Sequence, residues 1–213
     1  MITLHHLNNS RSQRILWLLE EIELDYDIVI YQRDPTTRRA PESLKAVHPL
    51  GKSPVITDDS IVVAESGAII EYLTRRHGDG RLAVTDPSSP DFADYLHWLH
   101  YAEGSAVTPM LFELYLRLLG GGSDVLRSMI NTQITQQLQY IDGRLAKREF
   151  FVGGRFTAAD IQMTFVLEFA QASGSLRGYP RVEDYVRRMH ARAAYRRSVE
   201  KGGEYNLGSF GRR

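Results

Sequence analysis

The sequence of 213 residues contains no cysteine. This absence excludes disulfide bonds, thiolate zinc sites, iron–sulfur clusters and a cysteine nucleophile within the chain. Lysine and arginine together number 26, as do aspartate and glutamate, so the formal net charge at pH 7 is zero. A balanced charge argues against a nucleic-acid or anionic-membrane partner, because proteins that bind these polyanions carry an excess of positive charge.

Long apolar runs and targeting segments are also missing. No stretch approaches 18 uninterrupted apolar residues, the length that indicates a membrane-spanning helix. The first residues, Met1–His6, contain neither the basic segment nor the long apolar run of a secretory signal. We therefore expect a cytoplasmic protein with no membrane partner.

The composition is that of a globular protein. Hydrophobic residues make up 43% of the chain and charged residues 24%, which are values near the averages for folded proteins. A length of 213 residues allows one large domain or two small ones. We therefore expect a substantial hydrophobic core and not a disordered or collagen-like chain.

The first 78 residues contain nearly all the strand-forming segments. Alternating or β-branched sequences predict four strands, at Ile2–Leu7, Tyr26–Tyr31, Pro54–Ile56 and Ile61–Val63. Helical spacing of apolar residues predicts a helix that begins near Ser10, a weak helix at Glu42–Val47 and a stronger one at Ser66–His77. The order β-α-β-α-β-β-α indicates an α/β domain over residues 1–78.

The rest of the chain has a helical pattern. Residues 79–90 contain two prolines, a glycine and two serines, which predict a linker. A long helix capped by Ser123 is predicted from the spacing of Leu126, Ile130, Ile134, Leu138, Ile141 and Leu145. Thr157 and Asp160 have the spacing of a capping box, and the apolar segment after them should be a central helix. Residues 91–213 are therefore predicted to form an all-helical bundle.

Three short segments of the first domain have side chains suited to binding or catalysis. Ser10 lies between a strand and a helix, where a hydroxyl and backbone N–H groups favour an anion. A cis Ser53–Pro54 bond would present the Ser53 backbone to an extended peptide ligand. Glu65 and Ser66 begin a helix and suit an ammonium group and a carboxylate. The alternatives are simple helix caps at Ser10 and Ser66 and a trans Pro54.

The order of these motifs resembles that of the cytosolic glutathione transferases, in particular the serine-type enzymes of the theta-like bacterial and fungal branch. The matching segments are Ser10–Arg14, Gly51–Val55, Glu65–Ile69 and Phe156–Ile161, and they extend over nearly the whole chain. The resemblance implies a thioredoxin-like N-terminal domain, a helical-bundle C-terminal domain, glutathione as co-substrate with no other cofactor, and a homodimer. Both implied domains agree with the α/β and all-helical patterns.

The resemblance also implies how the thiol is activated. Ser10 would donate a hydrogen bond to the sulfur of glutathione, and Ser12 is the alternative residue for this role. A free thiol has a pKa of about 8.5, so lowering it by about two units would leave the thiol mostly ionised at neutral pH. The thiolate would then attack a small hydrophobic electrophile.

The remaining glutathione contacts follow from the same resemblance. The Ser53 backbone, next to a cis Pro54, would pair with the cysteinyl part of glutathione. Glu65 and Ser66 would hold the γ-glutamyl ammonium and carboxylate groups. The glycyl carboxylate would lie near two basic side chains, Lys52 and Arg39.

The electrophile is expected to bind against the helical domain. Trp98 and Tyr101 lie on the first predicted helix of that domain, although aromatic core packing explains Trp98 at least as well. His97 and His100 are three residues apart, but no third ligand accompanies them, so no metal site is predicted. A glutathione-dependent peroxidase and a non-catalytic protein that binds glutathione or hydrophobic ligands are the two alternative functions.

Overall fold

A computed structural model describes residues 1–208, so the last five residues of the predicted helical region 91–213 lie outside the described residues. Its sheet has four strands, β1 (Ile2–Leu7), β2 (Tyr26–Tyr31), β3 (Val55–Asp58) and β4 (Ile61–Ala64). The strand order is β2-β1-β3-β4. Strand β1 is parallel to β2 and antiparallel to β3, and β3 is antiparallel to β4. The two predicted strands Ile2–Leu7 and Tyr26–Tyr31 are confirmed with their bounds.

The helices of the N-terminal region are α1 (Ser12–Ile22) and α2 (Ser66–Arg76), with a short 3-10 helix at Glu42–Ala46. Together with the sheet they form the expected thioredoxin-like fold. Helix α1 begins at Ser12, near Ser10 as predicted, and the Ser12 N–H donates to Ser10 Oγ at 3.1 Å where the helix begins.

The chain beyond residue 85 is helical, as predicted. Its helices are α3 (Phe92–Tyr101), α4 (Thr108–Leu118), α5 (Asp124–Leu145), α6 (Ala158–Ala172), α7 (Pro180–His190) and α8 (Ala193–Gly202). A π-helical segment at Ala102–Ala106 separates α3 from α4. Ser123 Oγ accepts the Leu126 N–H at 3.3 Å, which confirms the predicted cap of α5.

Helix α6 occupies the centre of the helical region. All its residues from Ala158 to Ala170 are buried, which confirms the prediction from its apolar sequence. The capping box at its start is also present: Asp160 Oδ2 accepts the Thr157 N–H at 2.8 Å.

The contacts divide the chain into two compact units. The first contains Met1–Thr85 and His190–Tyr205, and the second contains Asp86–Met189 together with residues 206–208. Helix α8 therefore belongs to the first unit, whereas the predicted helical region 91–213 included it. The physical reason is its contact with α1, where Gln13 Nε2 donates to Ser198 Oγ at 2.9 Å and the Trp17 and Tyr195 rings meet edge to face.

Residues 1–208 contain neither a membrane-spanning helix nor a cluster of side chains that could bind a metal ion. No helix in this part of the chain is both long and apolar enough to cross a membrane. The same residues contain no group of three or more histidine, aspartate or glutamate side chains arranged to hold a metal ion.

Candidate functional site

Ser10 lies in the loop between β1 and α1, at the N-terminal end of the helix. It is 6% exposed, and its Oγ accepts the Ser12 N–H at 3.1 Å and lies 2.8 Å from Ser12 Oγ. The first N–H groups of a helix carry a partial positive charge, so this position favours an anion. The hydroxyl is thus held where it can contribute a hydrogen bond to a negatively charged atom.

Ser12 is in a different environment from Ser10. It is completely buried, and its Oγ lies 2.9 Å from His6 Nδ1 and 3.2 Å from both the backbone N and the carbonyl O of Leu7. Together with the Ser10 contact these make four polar neighbours, one more than a hydroxyl with one hydrogen and two lone pairs can bond at once. The bonds of Ser12 fix the loop that carries Ser10.

His6 determines the direction of the hydrogen bonds in this loop. Burial lowers the pKa of His6 to about 4, although a hydrogen bond to the backbone of Gly202 opposes the shift, so the ring is neutral at pH 7. A neutral ring that donates to the Gly202 carbonyl must accept at Nδ1, so the Ser12 hydroxyl hydrogen has two acceptors within reach, His6 Nδ1 at 2.9 Å and the Leu7 carbonyl at 3.2 Å. Ser12 Oγ then accepts the Ser10 hydroxyl hydrogen, giving a chain of bonds from Ser10 through Ser12 to His6.

Arg33 fixes the same loop from the other side. Its Nε donates to the Asn8 carbonyl at 3.1 Å and its Nη2 to the Asn9 carbonyl at 3.3 Å. The Asn8 side chain in turn accepts the Arg33 N–H at 2.8 Å. The sequence analysis gave no role to His6 or Arg33, because their function depends on contacts with distant parts of the chain.

The Ser53–Pro54 peptide bond is cis. Ser53 Oγ donates to the His5 carbonyl at 2.8 Å, which ties the segment before β3 to β1. Within residues 1–208, the backbone N–H and C=O of Ser53 form no hydrogen bond with the protein. This geometry leaves both backbone groups available to an extended ligand.

Glu65 and Ser66 lie at the N-terminal end of α2. Glu65 is exposed and has a φ of 72°, and Ser66 is 3% exposed. Arg14 of α1 is almost completely buried, and its Nη1 donates to Ser66 Oγ at 3.2 Å. A buried guanidinium group at a helix N-terminus adds positive charge where a carboxylate was predicted. The sequence analysis did not identify this role of Arg14.

The two basic residues predicted to bind the glycyl carboxylate, Arg39 and Lys52, are both exposed. Neither side chain forms an ion pair with another of residues 1–208. Lys52 directly precedes Ser53, and Arg39 follows a turn that Asp34 stabilises by accepting the Thr37 N–H. Both charges are therefore accessible to a ligand from solvent.

The structure corrects the expectation for Trp98 in the second unit. Trp98 is 1% exposed and packs against the rings of Tyr140 and Phe151, with centroid distances of 5.2 and 4.6 Å. It is therefore a core residue. The sequence could not show this, because aromatic residues repeat with the same helical spacing whether they face a core or a ligand. Tyr101 is half-buried, its hydroxyl donates to Gln137, and burial raises its pKa.

Both halves of the chain match models of one protein family. Residues 1–75 match "Glutathione S-transferase, N-terminal domain", and residues 129–193 match "Glutathione S-transferase, C-terminal domain". Glutathione S-transferase 3 of Schizosaccharomyces pombe is 36% identical over an alignment that covers 99% of this chain and 91% of the relative.

One solved structure supports the same family, and a more distant one shares the fold. A glutathione S-transferase from Actinobacillus pleuropneumoniae has a TM-score of 0.89 and 33% identity, covering 97% of this chain and 95% of the other. A sphingomonad glutathione S-transferase, solved in complex with glutathione, has a TM-score of 0.76 and 23% identity, covering 94% and 98%. The chain is a member of the glutathione S-transferase family.

Proposed function

We propose that the protein ionises the thiol of bound glutathione, with Ser10 as the stabilising residue, for attack on small hydrophobic electrophiles. The observation that carries this proposal is the Ser10 hydroxyl, held at the N-terminal end of α1 in a chain of hydrogen bonds. Because the chain contains no cysteine, the reacting thiol must come from a co-substrate. The family assignment supports glutathione as that co-substrate.

We propose the following contacts for glutathione. The Ser53 backbone pairs with the cysteinyl part, supported by its lack of hydrogen bonds within residues 1–208. Glu65 binds the γ-glutamyl ammonium group, and Ser66 with the nearby Arg14 binds the carboxylate. The glycyl carboxylate is attracted to the two exposed basic residues, Lys52 and Arg39.

Ser10 acts as a hydrogen-bond donor and not as a base, because an alcohol ionises far above neutral pH. When the thiol loses its proton to solvent, the Ser10 hydroxyl hydrogen turns from Ser12 Oγ to the sulfur. Ser10 Oγ keeps the hydrogen bond from the Ser12 N–H, which holds it in place during this rotation. A thiol pKa lowered by about two units corresponds to about 2.7 kcal/mol of anion stabilisation.

The first test is a pH titration of the thiolate absorbance of glutathione bound to the wild-type protein and to Ser10→Ala. We expect Ser10→Ala to raise the pKa of the bound thiol by about one to two units, and to lower the thiolate fraction and hence turnover at pH 7 by about 3–25-fold, starting from a thiol pKa of about 6.5. Glutathione affinity should change little. Ser60→Ala, in the exposed turn between β3 and β4, is the matched control and should leave the titration unchanged.

The same titration separates the alternatives. Glutathione binding with an unshifted thiol pKa in the wild-type protein would refute thiol activation and favour a binding protein. An unchanged pKa in Ser10→Ala would refute the role of Ser10. Turnover of an organic hydroperoxide in excess of turnover of aryl halides would favour the peroxidase.

We further propose that the protein is a homodimer in the cytoplasm, as the family resemblance implies. Light scattering in solution should give about twice the monomer mass of 24.2 kDa. A concentration-independent mass near that of the monomer would refute the dimer.

A further inference from the structure

The hydroxyl of Ser12 accepts the hydrogen of Ser10 and does not donate to it. Ser12 has one hydroxyl hydrogen, and two acceptors lie within its reach, His6 Nδ1 at 2.9 Å and the Leu7 carbonyl at 3.2 Å. His6 is buried, so its Nδ1 would be left without a donor if this hydrogen turned to Ser10. The hydrogen between the two serine oxygens, which are 2.8 Å apart, therefore belongs to Ser10.

Within the described residues, one lone pair of Ser10 Oγ remains available to a ligand. The oxygen accepts the Ser12 N–H at 3.1 Å, and its own hydrogen is donated to Ser12 Oγ. A hydroxyl oxygen has two lone pairs, so the second can accept the S–H hydrogen of a thiol. A free thiol with a pKa of about 8.5 is almost entirely protonated at pH 7. The resting Ser10 hydroxyl is thus oriented for the thiol form, which reaches the site first.

Ionisation of the bound thiol requires the opposite orientation of this hydroxyl. A thiolate has no hydrogen to donate, and it gains the Ser10 hydrogen bond only when the hydroxyl turns away from Ser12. Ser12 is completely buried, so water does not replace the donor that its oxygen loses. The thiolate therefore gains one hydrogen bond at the expense of another within the protein.

We infer that Ser12 is a positioning residue that competes with the glutathione sulfur for the Ser10 hydrogen and so limits how far the bound thiol ionises. The inference rests on the proposed function and deepens it, because it names a residue that regulates the thiol through Ser10. The two serines act in opposite directions: Ser10 stabilises the thiolate, whereas Ser12 stabilises the hydroxyl orientation that suits the thiol form.

The test is the thiolate titration of glutathione bound to the full-length protein, repeated with Ser12→Ala. Alanine removes the competing acceptor, so we expect the pKa of the bound thiol to fall by about 0.5–1 unit below the wild-type value, the equivalent of one hydrogen bond. If Ser12 only fixed the loop, or itself donated to the sulfur, the pKa would instead rise, because the thiolate would lose stabilisation. Ser12→Gly lacks the same acceptor and repeats the measurement without the methyl group.

The double variant Ser10→Ala/Ser12→Ala shows whether the effect acts through Ser10. Without the Ser10 hydroxyl no hydrogen is released, so its thiol pKa should equal that of Ser10→Ala. Ser198→Ala is the matched control, because Ser198 is also completely buried, donates to the Tyr195 carbonyl at 2.7 Å and accepts from Gln13 Nε2 at 2.9 Å. This control should leave the titration unchanged.

Two results would overturn the inference. One is a thiol pKa that is unchanged or raised in Ser12→Ala and Ser12→Gly, and the other is a fall in the pKa that persists when Ser10 is alanine. A wild-type thiol pKa that is not lowered from that of free glutathione, or that does not change in Ser10→Ala, would refute the proposed function instead. The two failures are therefore distinguished by the variant in which they occur.

Discussion

Replacing Asp160 with alanine is expected to lower the free energy of unfolding by about 3–5 kcal/mol, because each buried donor left without an acceptor costs about 1–3 kcal/mol. The Asp160 side chain is completely buried and accepts four hydrogen bonds, from the N–H of Phe151, the N–H and hydroxyl of Thr157 and the hydroxyl of Tyr185. Alanine leaves all four donors without an acceptor, in a place that water does not reach.

Urea denaturation followed by circular dichroism would measure this loss. Asp160→Asn should show a smaller loss, because the amide keeps the shape of the side chain but turns one acceptor into a donor. Asp124→Ala is the control, since Asp124 is also an acid in the first turn of a helix but is exposed. A change below about 1 kcal/mol in Asp160→Ala would contradict the prediction.

Replacing Glu20 with glutamine should cost about 1–3 kcal/mol at pH 7, less than the cost of about 3–5 kcal/mol for a fully buried pair, because its basic partners are half-exposed. Glu20 is 7% exposed, and it accepts from Lys201 Nζ at 2.5 Å, from the Tyr26 hydroxyl at 2.6 Å and from Arg197 Nε at 2.7 Å. The bonds from Lys201 and Arg197 attach α8 to α1, and the bond from Tyr26 attaches β2 to α1. The amide can accept only part of them and carries no charge.

The Glu20 prediction includes a dependence on pH. Burial acts to raise the pKa of Glu20, but the hydrogen bonds from Lys201, Tyr26 and Arg197 outweigh it, so the pKa is lowered. A lowered pKa in the folded state means that this stabilisation is present above the unfolded pKa and is lost as the pH falls through the folded pKa.

Denaturation at pH 7 and at stepwise lower pH would show the effect. The stability difference between the wild-type protein and Glu20→Gln should therefore be largest near neutral pH and shrink in acid. Glu200→Gln, an exposed position on α8, should behave as the wild-type protein at every pH. A difference that stays constant down to pH 3 would show that Glu20 stabilises by packing and not by charge.

Local sequence patterns predicted most of the fold. The strands Ile2–Leu7 and Tyr26–Tyr31 are recognisable because side-chain alternation and β-branching act over a few residues. Local sequence does not show that α8 packs in the first unit. This packing depends on contacts between residues far apart in the sequence, such as Gln13 and Ser198. The helical spacing of apolar residues shows which face of a helix is buried, but not which other element that face packs against.

The same distinction applies to the candidate site. Ser10 and the Glu65–Ser66 pair were identified from their positions before helices, which is local information. His6, Arg14 and Arg33 were missed because each acts through partners from another segment. The prediction that Trp98 contacts the ligand was wrong, since the spacing of aromatic residues on a helix does not reveal whether they face a core or a pocket.

The division of the first unit between the two ends of the chain has a consequence for its biosynthesis. Domains usually fold in order as the ribosome produces them, the N-terminal one first. Here the sheet and α1 are made early, but α8 comes after all five helices α3–α7 of the second unit. The face of α1 that α8 covers must therefore wait until nearly the whole polypeptide has been translated. A chain shortened before residue 190 would expose this face permanently, so an exchange of domains between relatives should transfer His190–Tyr205 together with Met1–Thr85.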